Sequence, residues 1–124
     1  MTVVLLIALG GALGSVARFL ATTAFVRALG ATFPYGTLFV NVLGSFVIGL
    51  LYVLVAEKSG VKAEWRAFLM VGVLGGFTTF SSFSLESVAL IAQAHYGRAA
   101  LYVGSSIILC LAGTALGMTL ARHS

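Results

Sequence analysis

The sequence predicts an all-α integral membrane protein with four transmembrane helices, and three observations support this fold class. Of the 124 residues, 60% are hydrophobic and only 8% are charged, whereas soluble domains carry roughly 25% charged residues. The apolar residues form four stretches, each long enough for the roughly 20 residues that a helix needs to cross a bilayer. Short polar segments separate these stretches, so one membrane domain accounts for residues 1–124.

The four predicted spans have recognisable ends. They run approximately over residues 3–26, 33–56, 65–94 and 99–121. The first lacks a basic leader and is longer than a signal peptide, so we interpret it as a membrane span. Pro34 suits the first turn of the second helix. Tyr35, Trp65 and Tyr96 lie at span ends, where interfacial aromatic residues are common.

Charge and cysteine content limit the partners. The net charge is +4, but the basic residues are scattered near span ends and form no cluster. We therefore expect them to anchor at lipid headgroups, and we expect no nucleic-acid partner. Cys110 is the single cysteine, so it forms no intramolecular disulfide and has no partner for a zinc site. The composition suits a multi-pass protein of the inner (plasma) membrane.

The orientation signal is weak. With a cytoplasmic N-terminus, the inside would receive four basic residues and the outside two, with Arg18 deep in the first span. The four are Lys58, Lys62, Arg66 and Arg122, and the two are Arg27 and Arg98. Such a small positive-inside bias would allow insertion in both orientations. Labelling of a loop position such as Ser59 from both sides would reveal this dual topology.

Small and polar residues share helix faces. Gly10 and Gly14 on the first span, and Gly113 and Gly117 on the fourth, are four residues apart, which favours close helix packing in lipid. Asn41 lies midway along the second span. Its amide could face a solute pathway or form an interhelical hydrogen bond, which is the simpler alternative.

The last two spans carry more polar groups at membrane depth. One stripe on the fourth span has hydroxyls and a thiol at successive i, i+4 positions: Tyr102, Ser106, Cys110 and Thr114. These groups could serve a pathway or satisfy their own helix backbone. Glu86 is the only acid deep in a span. It could be an ion site or lie in a wet vestibule, and Arg18 could pair with it or attract anions.

The segment GGFTTFSSFS (75–84) interrupts the third span. Two glycines and two β-branched threonines disfavour a continuous helix, so we predict a break in mid-span. A break releases backbone carbonyls, which must be satisfied by protein, water or an ion. Phe80 and Phe83 follow on one face. Their positive ring edges could meet an anion, or the rings could be ordinary core residues.

Three motifs together resemble the CrcB/Fluc family of fluoride channels. They are GGALGSVARF (10–19), GTLFVNVLGSFVIG (36–49) and GGFTTFSSFSLE (75–86). The resemblance covers essentially the whole chain. It implies a passive channel that exports cytoplasmic fluoride, and not an enzyme. It also implies an antiparallel, dual-topology homodimer with two pores along the subunit interface.

The resemblance assigns roles residue by residue. It implies a structural sodium ion at the dimer centre, held by the backbone carbonyls of Gly75 and Thr78 from both chains. The residues that it implies for the fluoride pore are Asn41, Phe80, Ser81, Phe83, Tyr102, Ser106 and Thr114. Arg18 and Glu86 would belong to a vestibule. Cys110 departs from the family's polar track, where a hydroxyl is expected and a thiol is a weaker donor.

A second function class remains to be compared. Small proton-coupled multidrug exporters are also short, four-helix and often dual-topology proteins. They need an acidic residue in the first span to exchange protons for cations, and this span holds Arg18 and no acid.

Overall fold

Long helices dominate the computed structural model, which describes residues 1–58 and 60–124. Within these residues, four helices are long and apolar enough to cross a membrane. Helix α1 spans Thr2–Leu29, and α2 spans Tyr35–Leu51 before it continues as a π-helical turn at Tyr52–Glu57. Ser59, the suggested labelling position, lies outside the described residues.

The third span consists of two successive helical parts separated by a break. We call its first part α3, a rod built from Ala63–Arg66, a π-helical segment Ala67–Val73, and Leu74–Phe77. Its second part, α4, spans Phe80–Ala92. The predicted interruption of the third helix is thus present. The fourth span is a single helix, α5, over Tyr96–Arg122.

The helix ends differ from the predicted spans by a few residues. Pro34, expected in the first turn of α2, is instead its N-cap, because the helix begins at Tyr35. Helix α5 begins at Tyr96 and not at residue 99, since the polar end of the span is itself helical. Interfacial residues can extend a helix beyond the hydrocarbon core, so apolarity alone sets these ends poorly.

Glycines allow close contact in two helix pairs, as the small-residue pattern predicts for Gly10, Gly14 and Gly117, whereas a Cβ at Gly113 would make only ordinary contact at 3.4 Å. On α1, a Cβ added at Gly10 would lie 2.6 Å from the Phe68 carbonyl oxygen of α3, and one at Gly14 would overlap the Val73 carbonyl. On α5, a Cβ at Gly117 would overlap the Phe46 carbonyl of α2. The backbones therefore approach as closely as glycine allows, in the pairs α1–α3 and α2–α5.

Charged groups join the end of α2 to the end of α5. Arg122 forms an ion pair with Glu57 at 3.0 Å. The Lys58 ammonium donates to the Ala121 carbonyl at 2.6 Å, where the last carbonyls of a helix lack partners and favour a cation. These contacts hold the second and fourth spans together at one end of the bundle.

The corner between α4 and α5 contains an unusual residue. The His95 amide donates to the Leu90 carbonyl, and the Ala94 amide donates to the Ile91 carbonyl, which is the Schellman pattern that ends many helices. Its left-handed position is Ala94, with φ of 61°. Glycine usually takes this position because a Cβ is strained there.

We expect Ala94→Gly to stabilise the protein by about 1 kcal/mol, because glycine removes the left-handed strain. The measurement is the thermal unfolding midpoint of the purified protein in detergent. Ala92→Gly is the matched control, since it places glycine at the last helical position of α4 and should destabilise by up to about 1 kcal/mol. A lower midpoint for Ala94→Gly would contradict the assignment of strain to this corner.

Candidate functional site

The break in the third span falls on two threonines. Thr78 has φ −90° and ψ 158°, and Thr79 has φ −152° and ψ 116°. Both are extended conformations that suit β-branched residues. The Thr79 hydroxyl caps α4 by accepting from the Ser82 amide at 3.1 Å. Gly75 and Gly76, expected to disrupt the helix, remain helical.

Gly76 has a packing role in place of a helix-breaking one. A Cβ at this position would lie 2.6 Å from the Gly11 carbonyl of α1. The Gly76 carbonyl accepts a hydrogen bond from the Arg18 Nε at 2.9 Å. Arg18 therefore joins α1 to the end of α3. Its predicted pairing with Glu86 is not formed within the described residues.

Asn41 holds the break from the second span. Its Nδ2 donates to the Thr79 carbonyl at 3.0 Å, and its Oδ1 accepts from the Thr79 amide at 2.7 Å. The simpler alternative for this residue, an interhelical hydrogen bond, is thus present twice. One amide proton of Asn41 remains available, so a role toward a solute is compatible with the geometry.

A cavity of about 450 Å³ opens beside the break. It is lined by groups from α2, α3, α4 and α5, and it brings together six of the predicted site residues. These six are Asn41, Gly75, Thr78, Phe80, Phe83 and Ser106. Cys110 and Ser45 line the same cavity, together with Met70, whose position the sequence pattern did not identify.

The two phenylalanines form one aromatic wall of this cavity. Their ring centroids are 5.4 Å apart with an interplanar angle of 48°. Phe83 also contacts Tyr102 at 5.2 Å. Phe80 is 77% exposed within the single chain, which is not the environment of a core side chain. Packing inside the chain therefore accounts for part of the surroundings of the Phe83 ring. It gives no reason for a large apolar ring at Phe80.

Ser106 is the hydroxyl of the predicted stripe that has no partner. It is only 5% exposed, and its Oγ makes no hydrogen bond to the described residues. A buried hydroxyl without a partner is costly. Ser106 also lines the cavity, which makes its hydroxyl a candidate donor to a hydrogen-bond acceptor that enters.

The other predicted hydroxyls have partners already. Thr114 donates to the Ser45 carbonyl at 3.0 Å, and Tyr102 donates to Glu86 at 3.1 Å. The Ser81 hydroxyl lies 3.3 Å from that of Thr79. A hydroxyl has a single proton, so Tyr102 and Thr114 could donate to a solute only after giving up these bonds.

A second cavity, of about 470 Å³, lies between the α1–α2 connection and the α4–α5 corner. Glu86 lines it, together with Gln93, His95 and Arg98. His95 is exposed. Glu86 accepts a hydrogen bond from Tyr102, whereas Arg18 lies at the break. The two predicted vestibule residues therefore lie in different parts of the fold, Arg18 at the break and Glu86 at the second cavity.

The break leaves two carbonyls that could hold a cation. No hydrogen bond to the Gly75 or Thr78 carbonyl is formed within the described residues, and both residues line the first cavity. Carbonyl oxygens are hard ligands suited to hard cations. Within residues 1–58 and 60–124, no three His, Cys, Asp or Glu side chains are grouped to bind a metal.

Four apolar spans, a broken helix and a cavity with unpartnered polar groups define a class of protein. They are the features of a small multi-pass membrane protein that provides a pathway for a solute. The chain matches the family model described as "CrcB-like protein, Camphor Resistance (CrcB)" over residues 5–118. The chain therefore belongs to the CrcB family, as its three motifs predict.

Three curated relatives match this chain over nearly their whole length. A protein of Agrobacterium fabrum is 48% identical over 95% of this chain and 94% of its own length. One of Caulobacter vibrioides is 47% identical over 98% and 97%. One of a Ruegeria species is 52% identical over 96% and 94%. Each of these three proteins is named "Fluoride-specific ion channel FluC".

Proposed function

We propose that this protein is a passive, fluoride-selective channel that releases cytoplasmic fluoride across the inner (plasma) membrane. The observation that carries the proposal is the cavity beside the helix break, which is lined by Asn41, by the two phenylalanines and by Ser106, whose buried hydroxyl has no partner among the described residues. Family membership and the names of the relatives support the choice of fluoride.

The cavity has the chemistry that a strongly hydrated anion requires. Removing water from an ion is expensive unless other groups replace it. Ser106 and the free amide proton of Asn41 supply donors, and the ring edges of Phe80 and Phe83 supply positive partial charge. These contacts are several and individually weak, which allows the ion to leave again.

The exposure of Phe80 supports assembly with a second copy. Many large apolar side chains of the spans are exposed in the single chain, and Phe80 is 77% exposed next to the polar break. We propose an antiparallel homodimer in which the second chain covers this region and completes two pores. The weak charge bias between the two ends is compatible with insertion in both orientations.

A structural sodium ion belongs to the same proposal. The Gly75 and Thr78 carbonyls of two antiparallel chains would supply four oxygens at the dimer centre. The absence of hydrogen bonds to these carbonyls among the described residues fits such a role. When bound, the cation would supply positive charge that joins the two breaks.

The multidrug-exporter alternative has less support. Proton exchange needs a titratable acid in the pathway, and α1 carries Arg18 and no acidic residue. The cavity beside the break offers hydroxyl, thiol and amide groups, with no carboxylate among its lining residues.

Anion efflux from liposomes tests the proposed function. Purified protein is reconstituted into vesicles loaded with potassium fluoride or potassium chloride, and valinomycin balances the charge. We expect rapid release of fluoride and little release of chloride. A proton-driven exchange of tetraphenylphosphonium, without fluoride release, would instead support the exporter.

Cysteine labelling tests the topology. We expect Gly60→Cys, in a Cys110→Ser background, to react with an impermeant maleimide from each side of the membrane in comparable amounts. Gly60 is exposed and has no atom within 4 Å of an added Cβ, so the substitution fits. The background chain without Gly60→Cys controls for nonspecific labelling. Reaction from one side only would exclude dual topology.

A further inference from the structure

We infer that Asn41 is a positioning residue for the helix break, and that it frees the Gly75 carbonyl by taking the hydrogen-bond donor that would otherwise occupy it. This inference deepens the proposed function, since it rests on the proposed cation site. It assigns to Asn41 a role in the backbone geometry, in addition to any contact with the permeating ion.

The backbone amides at the break have different hydrogen-bond partners from those in a continuous helix. In an α-helix, each amide donates to the carbonyl four residues earlier. The Thr79 amide would therefore donate to Gly75, and the Ser82 amide would donate to Thr78. In the observed break, the Thr79 amide donates to Asn41 Oδ1 at 2.7 Å, and the Ser82 amide donates to the Thr79 hydroxyl at 3.1 Å.

Two of the backbone carbonyls at the break accept no hydrogen bond from the described residues. The side chains of Asn41 and Thr79 take the two amides, which releases the carbonyls of Gly75 and Thr78. The Gly76 carbonyl, which points in another direction around the helix, is taken by Arg18 at 2.9 Å. The Thr79 carbonyl is taken by Asn41 Nδ2 at 3.0 Å.

The side-chain amide of Asn41 is suited to pair with the extended backbone of Thr79. The Thr79 backbone is extended, with φ −152° and ψ 116°, so its amide and carbonyl resemble those of a β-strand residue. A primary amide offers one acceptor and one donor side by side, and it pairs with both backbone groups of Thr79. Without such a partner, two backbone groups would be unsatisfied within the membrane.

The experiment compares amide exchange and sodium binding in purified protein without fluoride. In the wild type, we expect the Thr79 amide to be protected from hydrogen exchange although it has no backbone acceptor. Asn41→Leu should accelerate that exchange about 10-fold by removing the hydrogen bond. It should also weaken equilibrium binding of radioactive sodium about 10- to 100-fold, as loss of an outer-shell partner does.

Two further variants separate positioning from general damage. Asn41→Asp keeps the acceptor for the Thr79 amide, so protection of this amide should be retained. Thr119→Val removes a side chain–backbone hydrogen bond of 2.8 Å within α5, at a residue that lines neither cavity, and it should leave Thr79 exchange and sodium affinity unchanged. Thr79 protection that is lost in the Leu variant and kept in the Asp and Val variants would support the inference.

The contrary outcomes are distinct. An unprotected Thr79 amide in the wild type would overturn the inference without any variant, even if Asn41→Leu fails to fold. Unchanged sodium affinity in a folded Asn41→Leu protein would also overturn it. If the wild type binds no sodium, the cation site of the proposed function fails, while Thr79 exchange still decides whether Asn41 positions the break.

Discussion

Phe80→Ile and Phe83→Ile are each expected to reduce fluoride flux by at least about 10-fold while the protein still folds and assembles. Isoleucine keeps much of the bulk but lacks the positive ring edge that we assign to fluoride contact. The measurement is fluoride efflux from proteoliposomes containing equal amounts of protein, with assembly checked by size-exclusion chromatography.

The structure explains why both rings are expected to matter. Phe80 and Phe83 line the cavity beside the break, and Phe80 is too exposed to act as a core residue in the single chain. In a purely structural role, an exchange of similar volume would cost under about 1.5 kcal/mol and leave transport intact. The flux measurement therefore separates the pore role from packing.

Phe68→Ile is the matched control for these two substitutions. Phe68 makes an edge contact with Trp65 within α3, with ring centroids 5.7 Å apart. It is not among the residues that line the cavity beside the break. The same chemical change should leave flux close to wild type. Normal flux in folded Phe80→Ile and Phe83→Ile proteins would exclude the rings from the pathway.

Asn41→Asp is expected to reduce fluoride flux by at least about 100-fold. The substitution keeps the side-chain shape but replaces the amide by a carboxyl group, whose ionised form is an acceptor with a negative charge on the cavity wall. Two like charges about 4 Å apart repel by about 4 kcal/mol at an effective dielectric constant near 20, so fluoride would be excluded. Efflux from proteoliposomes at pH 7 measures this loss.

Gln93→Glu is the control for the added charge. It makes the same amide-to-carboxylate change at an exposed residue beside the second cavity. Water and salt screen a charge at such a site, so the loss of flux should be much smaller than for Asn41→Asp. Comparable losses would indicate that total charge, and not the position of Asn41, governs the effect.

The site could be predicted only in part from sequence, because sequence identifies polar residues and not their partners. The stripe of Tyr102, Ser106 and Thr114 is visible at helical spacing, but the three hydroxyls differ in the structure. Tyr102 and Thr114 donate to other protein groups, while Ser106 has no hydrogen-bond partner among the described residues. That difference depends on which neighbouring helix lies opposite each hydroxyl.

The break shows the same limit. Its location in the third span could be predicted from local chemistry. The prediction was wrong in giving the glycines a helix-breaking role. Gly76 is helical and serves close packing against α1, and the extended residues are Thr78 and Thr79. A signal was available, since Thr79 begins a helix in the position where a threonine cap is favoured.

The sequence by itself determined the number of spans, the interruption of the third span, the small-residue helix faces and the family. These properties depend on apolar length, backbone propensity and side-chain size, which are local. Only the tertiary structure decided that Asn41 pairs with the Thr79 backbone, that Arg18 takes the Gly76 carbonyl, and which polar groups remain free. Hydrogen-bond partners from different helices meet through packing, so no local pattern in the chain specifies them.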